Sequence, residues 1–166
     1  MTSFLLQENG FFLLLESNGN IILQTTPNLS PAKTISNFVD VALTPQADGT
    51  YDFAIDTDGD FVKTQDIDTA IYMSLSTDKR AASSEVSLPQ NQRGWWGNLL
   101  NADSDYEIGS KMWLLDQSRR TQDALNKGQQ WVTDCLQWLI TDGYVKKITV
   151  TPAYVADGMQ LKVQFN

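Results

Sequence analysis

Carboxylates offer the first chemistry to test. Asp56-Thr57-Asp58-Gly59-Asp60 alternates acids ahead of a glycine, as calcium loops do when oxygens at alternate positions converge on one cation. The register fails. Gly59 at the sixth position puts Ala54 at the first and Gln65 at the twelfth, where a bidentate Glu is required. A solvated hairpin turn is the expectation instead. Glycoside hydrolysis needs two carboxyls facing each other across a cleft; Glu85, Asp103 and Glu107 are the nominees, and nothing in their spacing separates them from surface acids. The chain has no histidine, which removes the commonest general base and the commonest metal ligand. Its one cysteine, Cys135, sits among Trp131, Val132, Leu136 and Leu139, the setting of a buried, inert thiol. No glycine-rich phosphate loop, nucleophile elbow or zinc spacing occurs. The sequence therefore names no catalytic residue, no cofactor and no metal site.

Binding chemistry is more visible. Arg93-Gly94-Trp95-Trp96-Gly97 sets two adjacent tryptophans between glycines. Neighbouring residues of an extended segment face opposite ways, so one indole is expected in the core and the other over Arg93 or on a partner. Both indoles filling the core is the alternative.

Those groups need a scaffold, and composition allows one. The chain has 166 residues, 42% of them hydrophobic and 19% charged, enough to bury a core without disulfides. A net charge of -8 with scattered Lys and Arg opposes nucleic-acid binding. The longest apolar run, Phe11-Phe12-Leu13-Leu14-Leu15, is far too short to span a membrane. No secretory pattern opens the chain, so assembly in the cytoplasm is expected.

At the amino end Phe4-Leu5-Leu6-Gln7-Glu8-Asn9-Gly10 is echoed by Leu13-Leu14-Leu15-Glu16-Ser17-Asn18-Gly19, and Ile21-Ile22-Leu23-Gln24 begins a third copy. Asn-Gly supplies the positive φ angles of a tight hairpin turn, so a three-stranded meander is predicted. A Pro-, Thr- and Asn-rich stretch follows, and residues 1–35 are read as an arm and linker before a domain over 36–166. Strands are expected at 40–44 and 51–55 around Asp48-Gly49, with Phe61-Val62 after a second turn. Asp66 or Asp68 is the expected cap of a helix carrying Ile67, Ala70, Ile71 and Leu75. Residues 83–96 read as a long loop and 108–115 as a short helix. The plainest element is a helix over 121–140, striped by Leu125, Gly128, Val132, Cys135, Leu136 and Leu139 and closed by Asp142-Gly143. A terminal hairpin ends the chain, with Met159, Leu161, Val163 and Phe165 on one face. The fold class is α+β: a small antiparallel sheet packed on two or three helices, preceded by a β-meander arm.

Asp68-Thr69-Ala70-Ile71, Leu75-Ser76-Thr77-Asp78-Lys79-Arg80-Ala81, the Arg-Gly-Trp-Trp-Gly stretch, Ile108-Gly109-Ser110-Lys111-Met112-Trp113-Leu114-Leu115 and Leu136-Gln137-Trp138-Leu139-Ile140-Thr141-Asp142-Gly143 follow one another in an order that resembles Mu-type contractile phage baseplate proteins. The resemblance spans about 39–166 and extends, more distantly, to the small wedge protein of T-even phages and its type VI secretion counterpart. It implies a structural sheath initiator: six copies around the tail tube, contacts to wedge proteins and sheath, and a place in the virion baseplate. The distant relatives dock through a Glu-Pro-Arg loop that this chain lacks, leaving Arg80 and Arg93 as stand-ins. Partner contacts are accordingly expected at Arg80, Arg93, Trp95 and Trp96, and at Lys162, Val163, Gln164 and Phe165, where an open terminal strand would accept a sheath strand. A tail-associated peptidoglycan hydrolase and a generic interaction module are the alternatives. The leucine-rich Asn-Gly repeats resemble β segments appended to other phage virion proteins, and a clip onto a neighbouring subunit is their expected role.

Overall fold

The computed structural model describes residues 10–16, 21–25, 39–45, 51–64, 67–100, 107–156 and 158–166, with backbone alone for the first two segments. In chain order its elements are β1 (Gly10–Glu16), β2 (Ile21–Thr25), β3 (Asp40–Val41), β4 (Leu43–Pro45), β5 (Tyr51–Phe53), β6 (Lys63–Thr64), α1 (Asp68–Ser76), α2 (Gly97–Leu100), α3 (Gln122–Cys135), α4 (Gln137–Thr141), β7 (Ile148–Val155) and β8 (Gly158–Phe165). Short 3-10 turns cover Pro89–Asn91 and Met112–Gln117. The architecture is the expected α+β mixture.

The helical stripe folds as its spacing dictates. Thr121 stands outside α3 in extended conformation, and its hydroxyl accepts from Ala124 N at 3.2 Å, satisfying one orphan amide of the first turn. Leu125, Gly128 and Val132 are buried on one face. The single helix expected over 121–140 is broken at Leu136, where Leu139 N donates to Leu136 O at 3.0 Å and starts the tighter turn of α4. Leu136 and Leu139 stay fully buried through the break, and each contributes about 1.5–3 kcal/mol of burial free energy. Gly143, with φ +78, ends α4 in the left-handed conformation that a Cβ disfavours.

In α1, Ile67, Ile71 and Leu75 are buried as the spacing requires, with Ala70 half-buried. The expected carboxylate cap is corrected: Asp68 is the first helical residue, Ile67 occupies the cap position, and no side chain bonds there; Asp66 lies outside the described residues. An acid in the first turn still complements the helix dipole. Residues 108–110 bridge to Asp78 instead of coiling, so the helix expected at 108–115 begins at Met112 and is of the 3-10 type.

The main sheet has the order β2-β1-β8-β7, antiparallel throughout. β1 and β2 cover Gly10–Glu16 and Ile21–Thr25; the first strand of the predicted meander, the Asn18-Gly19 turn and the linker fall outside the described residues. Alternation along β8 is clean, with Met159, Leu161, Val163 and Phe165 buried against α3, α1 and the 3-10 turn. β3 pairs with β6 and β4 with β5, while Ala42 N donates to Val62 O at 2.8 Å between the two pairs.

Candidate interaction surface

The segment after α1 is built as a switchback. Asp78 bridges to Ser110 in parallel, with Lys79 N donating to Ser110 O and Ser110 N to Thr77 O, both at 2.9 Å. The buried Ser110 hydroxyl donates to Leu75 O at 2.7 Å, tying the bridge to the end of α1. Across from it the loop returns: Ala81 N donates to Gln92 O at 3.0 Å and Trp95 N to Asp78 O at 2.9 Å. Gly94, at φ +112, lies so close to Arg80 that a Cβ would sit 2.9 Å from the arginine's Cβ. Only glycine fits there.

This turn brings Arg80, Arg93, Trp95 and Trp96 together. Arg80 Nη2 donates to Gln92 Oε1 at 3.1 Å, and the residue is otherwise exposed. Arg93 holds a left-handed backbone (φ +46), the only positive φ outside glycine among the described residues. Its Nη1 meets Asp78 Oδ2 at 3.3 Å, and its guanidinium lies 4.8 Å from the centre of the Trp113 ring. Trp113 is fixed in turn, its Nε1 donating to Lys79 O at 3.0 Å.

Neither indole of the pair is a core plug. Trp95 folds over Gly97 at the start of α2 and is 37% exposed; Trp96, tilted against it at 6.0 Å between centroids, is 68% exposed. Leu99 and Leu100 of α2 are 71% and 77% exposed, extending the apolar patch. Asn98 anchors α2, donating to Ile108 O at 2.9 Å and accepting from Ile108 N at 3.1 Å. Sequence reasoning missed Leu99 and Leu100, although two leucines directly after Trp-Trp-Gly were the available signal. It also missed Trp113 as the stacking partner of Arg93.

The four β8 residues fare differently. Val163 and Phe165 are buried, and Lys162 and Gln164 half-buried, in a strand flanked by β7 and β1. The expected open edge on β8 is thus a correction: Gly10–Glu16 already occupies it in register, Leu13 opposite Leu161 and Phe11 opposite Val163. Removing 160–165 would take out the middle strand and its core side chains, so the truncated chain should not fold. The outer edge of β7 is blunted. Lys147 and Asn166 exchange both backbone bonds, at 3.1 and 3.0 Å, so by antiparallel alternation Val150 and Pro152 turn their backbones outward. Gln129 Nε2 of α3 donates to Val150 O at 2.8 Å, and Pro152 has no N–H to offer a new strand.

The carboxylates remain structural in character. Asp56 Oδ1 accepts from Asp58 N at 2.9 Å and Asp60 N at 3.0 Å, closing the expected turn, and Asp60 pairs with Lys63 at 2.6 Å. No cluster of three metal-ligating side chains occurs among the described residues. Glu85 and Glu107 line one cleft of about 320 Å³, each held by a lysine: Lys111 at 2.8 Å and Lys79 at 3.1 Å. The hydrogen bond from Lys111 holds the Glu85 carboxyl below its ordinary range, the reverse of what a general acid needs. Asp103 lies outside the described residues. Cys135 is half-buried on the lining of the same cleft, not fully buried as expected, and desolvation, reinforced by Asp134, pushes its thiol up. No helix among the described residues is long and apolar enough to cross a membrane.

Two relatives match part of the chain. Baseplate protein gp46 of Escherichia phage Mu is 35% identical over 102 residues, 60% of this chain and 68% of that protein. Mu-like prophage FluMu protein gp46 of Haemophilus influenzae is 33% identical over 94 residues, 57% of this chain and 59% of that protein. The family described as phage protein GP46 matches residues 67–166, from the residue before α1 through β8, and the chain belongs to that family.

Proposed function

We propose that this protein is a structural component of a contractile phage tail baseplate, which attaches to wedge proteins and tube in six copies and starts sheath assembly. The name of the phage Mu relative supports the baseplate role. The observation that carries the attachment is the patch of Trp96, Leu99 and Leu100 beside Arg80 and Arg93, held on a hydrogen-bonded switchback instead of a loose loop. Exposed tryptophan and arginine on a rigid support are what protein interfaces use as anchors. On this reading the patch is the wedge-facing surface, with Arg80 or Arg93 standing in for the Glu-Pro-Arg loop of the distant relatives. Sheath strands join on the β1–β2 side of the sheet, because the β7 edge has a proline and a capped carbonyl where a strand would pair. The same reading places the protein in the virion tail, with no nucleic-acid partner.

The test is baseplate reconstitution with Trp96→Ala and with Arg80→Ala/Arg93→Ala. Folded variants should be lost from purified baseplates, and sheath should fail on those baseplates. Wild-type incorporation of both variants would refute the wedge-facing assignment.

A further inference from the structure

We propose that the face of the 51–63 hairpin carrying Phe53, Ile55 and Phe61 is a second docking surface, and that its occupant is an apolar, Lys- and Arg-bearing segment of a different protein. Ile55 bridges antiparallel to Phe61, and the Phe61 ring meets that of Phe53 edge to face at 5.8 Å between centroids, so the three side chains form one patch. Phe53, Ile55 and Phe61 are 46%, 59% and 45% exposed. Their support is ordered: Val62 N donates to Ala54 O at 2.9 Å, and the Asp56 carboxylate closes the turn at the hairpin's end. The unit is also tied to α1, where Thr69 Oγ1 donates to Val41 O at 2.7 Å and the Tyr72 ring lies 5.1 Å from that of Tyr51. An exposed apolar patch on an anchored support is the form a protein-binding surface takes.

Charge selects the occupant. Among the described residues of 39–64 the acids are Asp40, Asp52, Asp56, Asp58 and Asp60, and the one cation, Lys63, is already held by Asp60 at 2.6 Å. Asp56, Asp58 and Asp60 are exposed in the turn that joins Ile55 to Phe61, directly beside the patch. Apolar side chains next to fixed negative charge are complementary to an apolar segment flanked by Lys or Arg, and that complementarity steers encounter and turns away wrong partners. The same charge repels a second copy of this chain, whose net charge is -8, and it repels nucleic acid and anionic lipid. The surface is distinct from the Trp96 patch, which has Arg80 and Arg93 beside it and so favours a partner of the opposite charge. It also precedes the stretch matched by the GP46 family, 67–166.

Photocrosslinking in the cells that make this protein is the test. The photoreactive residue p-benzoylphenylalanine replaces Phe61 in one full-length chain and Ile55 in another, and the crosslinked peptides are sequenced by mass spectrometry. Both positions should join the same segment of another protein, one with apolar residues and more Lys and Arg than Asp and Glu. Asp56→Asn/Asp58→Asn keeps side-chain oxygens for the turn while removing two charges, and should lower the yield of that adduct about five-fold. Adducts confined to this chain or to a second copy of it, or to a segment without a basic excess, overturn the proposal. An adduct yield unmoved by the two asparagines overturns it as well, as does the absence of any adduct from both positions in chains that melt as wild type does. None of these outcomes touches the baseplate reading, which is tested through Trp96.

Discussion

Arg93 pays a backbone penalty that glycine would not, and replacing it separates that penalty from the side chain's contacts. A left-handed φ of +46 costs an L-residue about 1–2 kcal/mol. Glycine escapes this cost, though its looser unfolded chain returns about 0.4–1 kcal/mol of the gain. The net advantage of glycine over alanine here is therefore about 1 kcal/mol. Against it stand the guanidinium over Trp113, worth about 0.5–1 kcal/mol at an exposed site, and the half-exposed pair with Asp78, worth about 0–0.5 kcal/mol after solvent screening. Arg93→Ala loses both contacts and keeps the strain, so it should destabilise by about 1 kcal/mol. Arg93→Gly loses the contacts and sheds the strain, and should lie within about 0.5 kcal/mol of wild type. Urea titrations at constant m-value measure both. Equal stability of the alanine and glycine variants would refute the strain argument. Loss of wedge binding in both, despite their different stabilities, is the outcome expected if this arginine is kept for a partner.

Other perturbations probe the remaining links. Trp96→Ala should change folding stability by less than about 0.5 kcal/mol, because the ring is mostly exposed, yet weaken wedge-protein affinity by about 2 kcal/mol in titration calorimetry. Gly128 lets α3 approach the sheet: an added Cβ would lie 3.0 Å from Met159 Sδ and 3.3 Å from Leu115 Cδ1. Gly128→Ala should stay within about 1 kcal/mol of wild type, since the gain in helix propensity opposes the crowding and Met159 can shift, whereas Gly128→Leu should cost about 1–3 kcal/mol in denaturant melts. Leu161→Ala should cost about 2–5 kcal/mol by the same assay, because the residue is fully buried in the middle strand. Glu85, whose folded pKa is lowered chiefly by Lys111, contributes stability above the ordinary carboxylate range and loses it as pH falls through the depressed value. Glu85→Gln should be less stable than wild type at neutral pH, with the difference closing in acid; a constant difference across pH would show that the charge is irrelevant.

Much of the scaffold could be read from periodicity. Leu125 and Val132 share a face of α3 because their spacing follows the helical repeat, and the four buried residues of β8 alternate because a strand's side chains do. Boundaries were less legible. The break at Leu136 and the tight turn at 112–117 depend on what those backbones pack against, not on their own composition. The candidate site was legible in kind, since adjacent tryptophans beside arginine signal binding, but not in arrangement.

By itself the sequence determined the α+β class, the buried face of the terminal strand, the solvated turn at Asp56, and the want of a histidine for acid-base work, all consequences of residue type and local spacing. Tertiary structure alone decided two things. It placed Trp96, Leu99 and Leu100 outward and set Arg93 on Trp113, because the return of 80–95 against Asp78 and Ser110 is a non-local pairing that no short window encodes. It also filled the edge of β8 with β1, nearly the whole chain length away. A strand's edge looks the same in sequence whether a neighbour covers it or not, because backbone N–H and C=O groups are common to every residue.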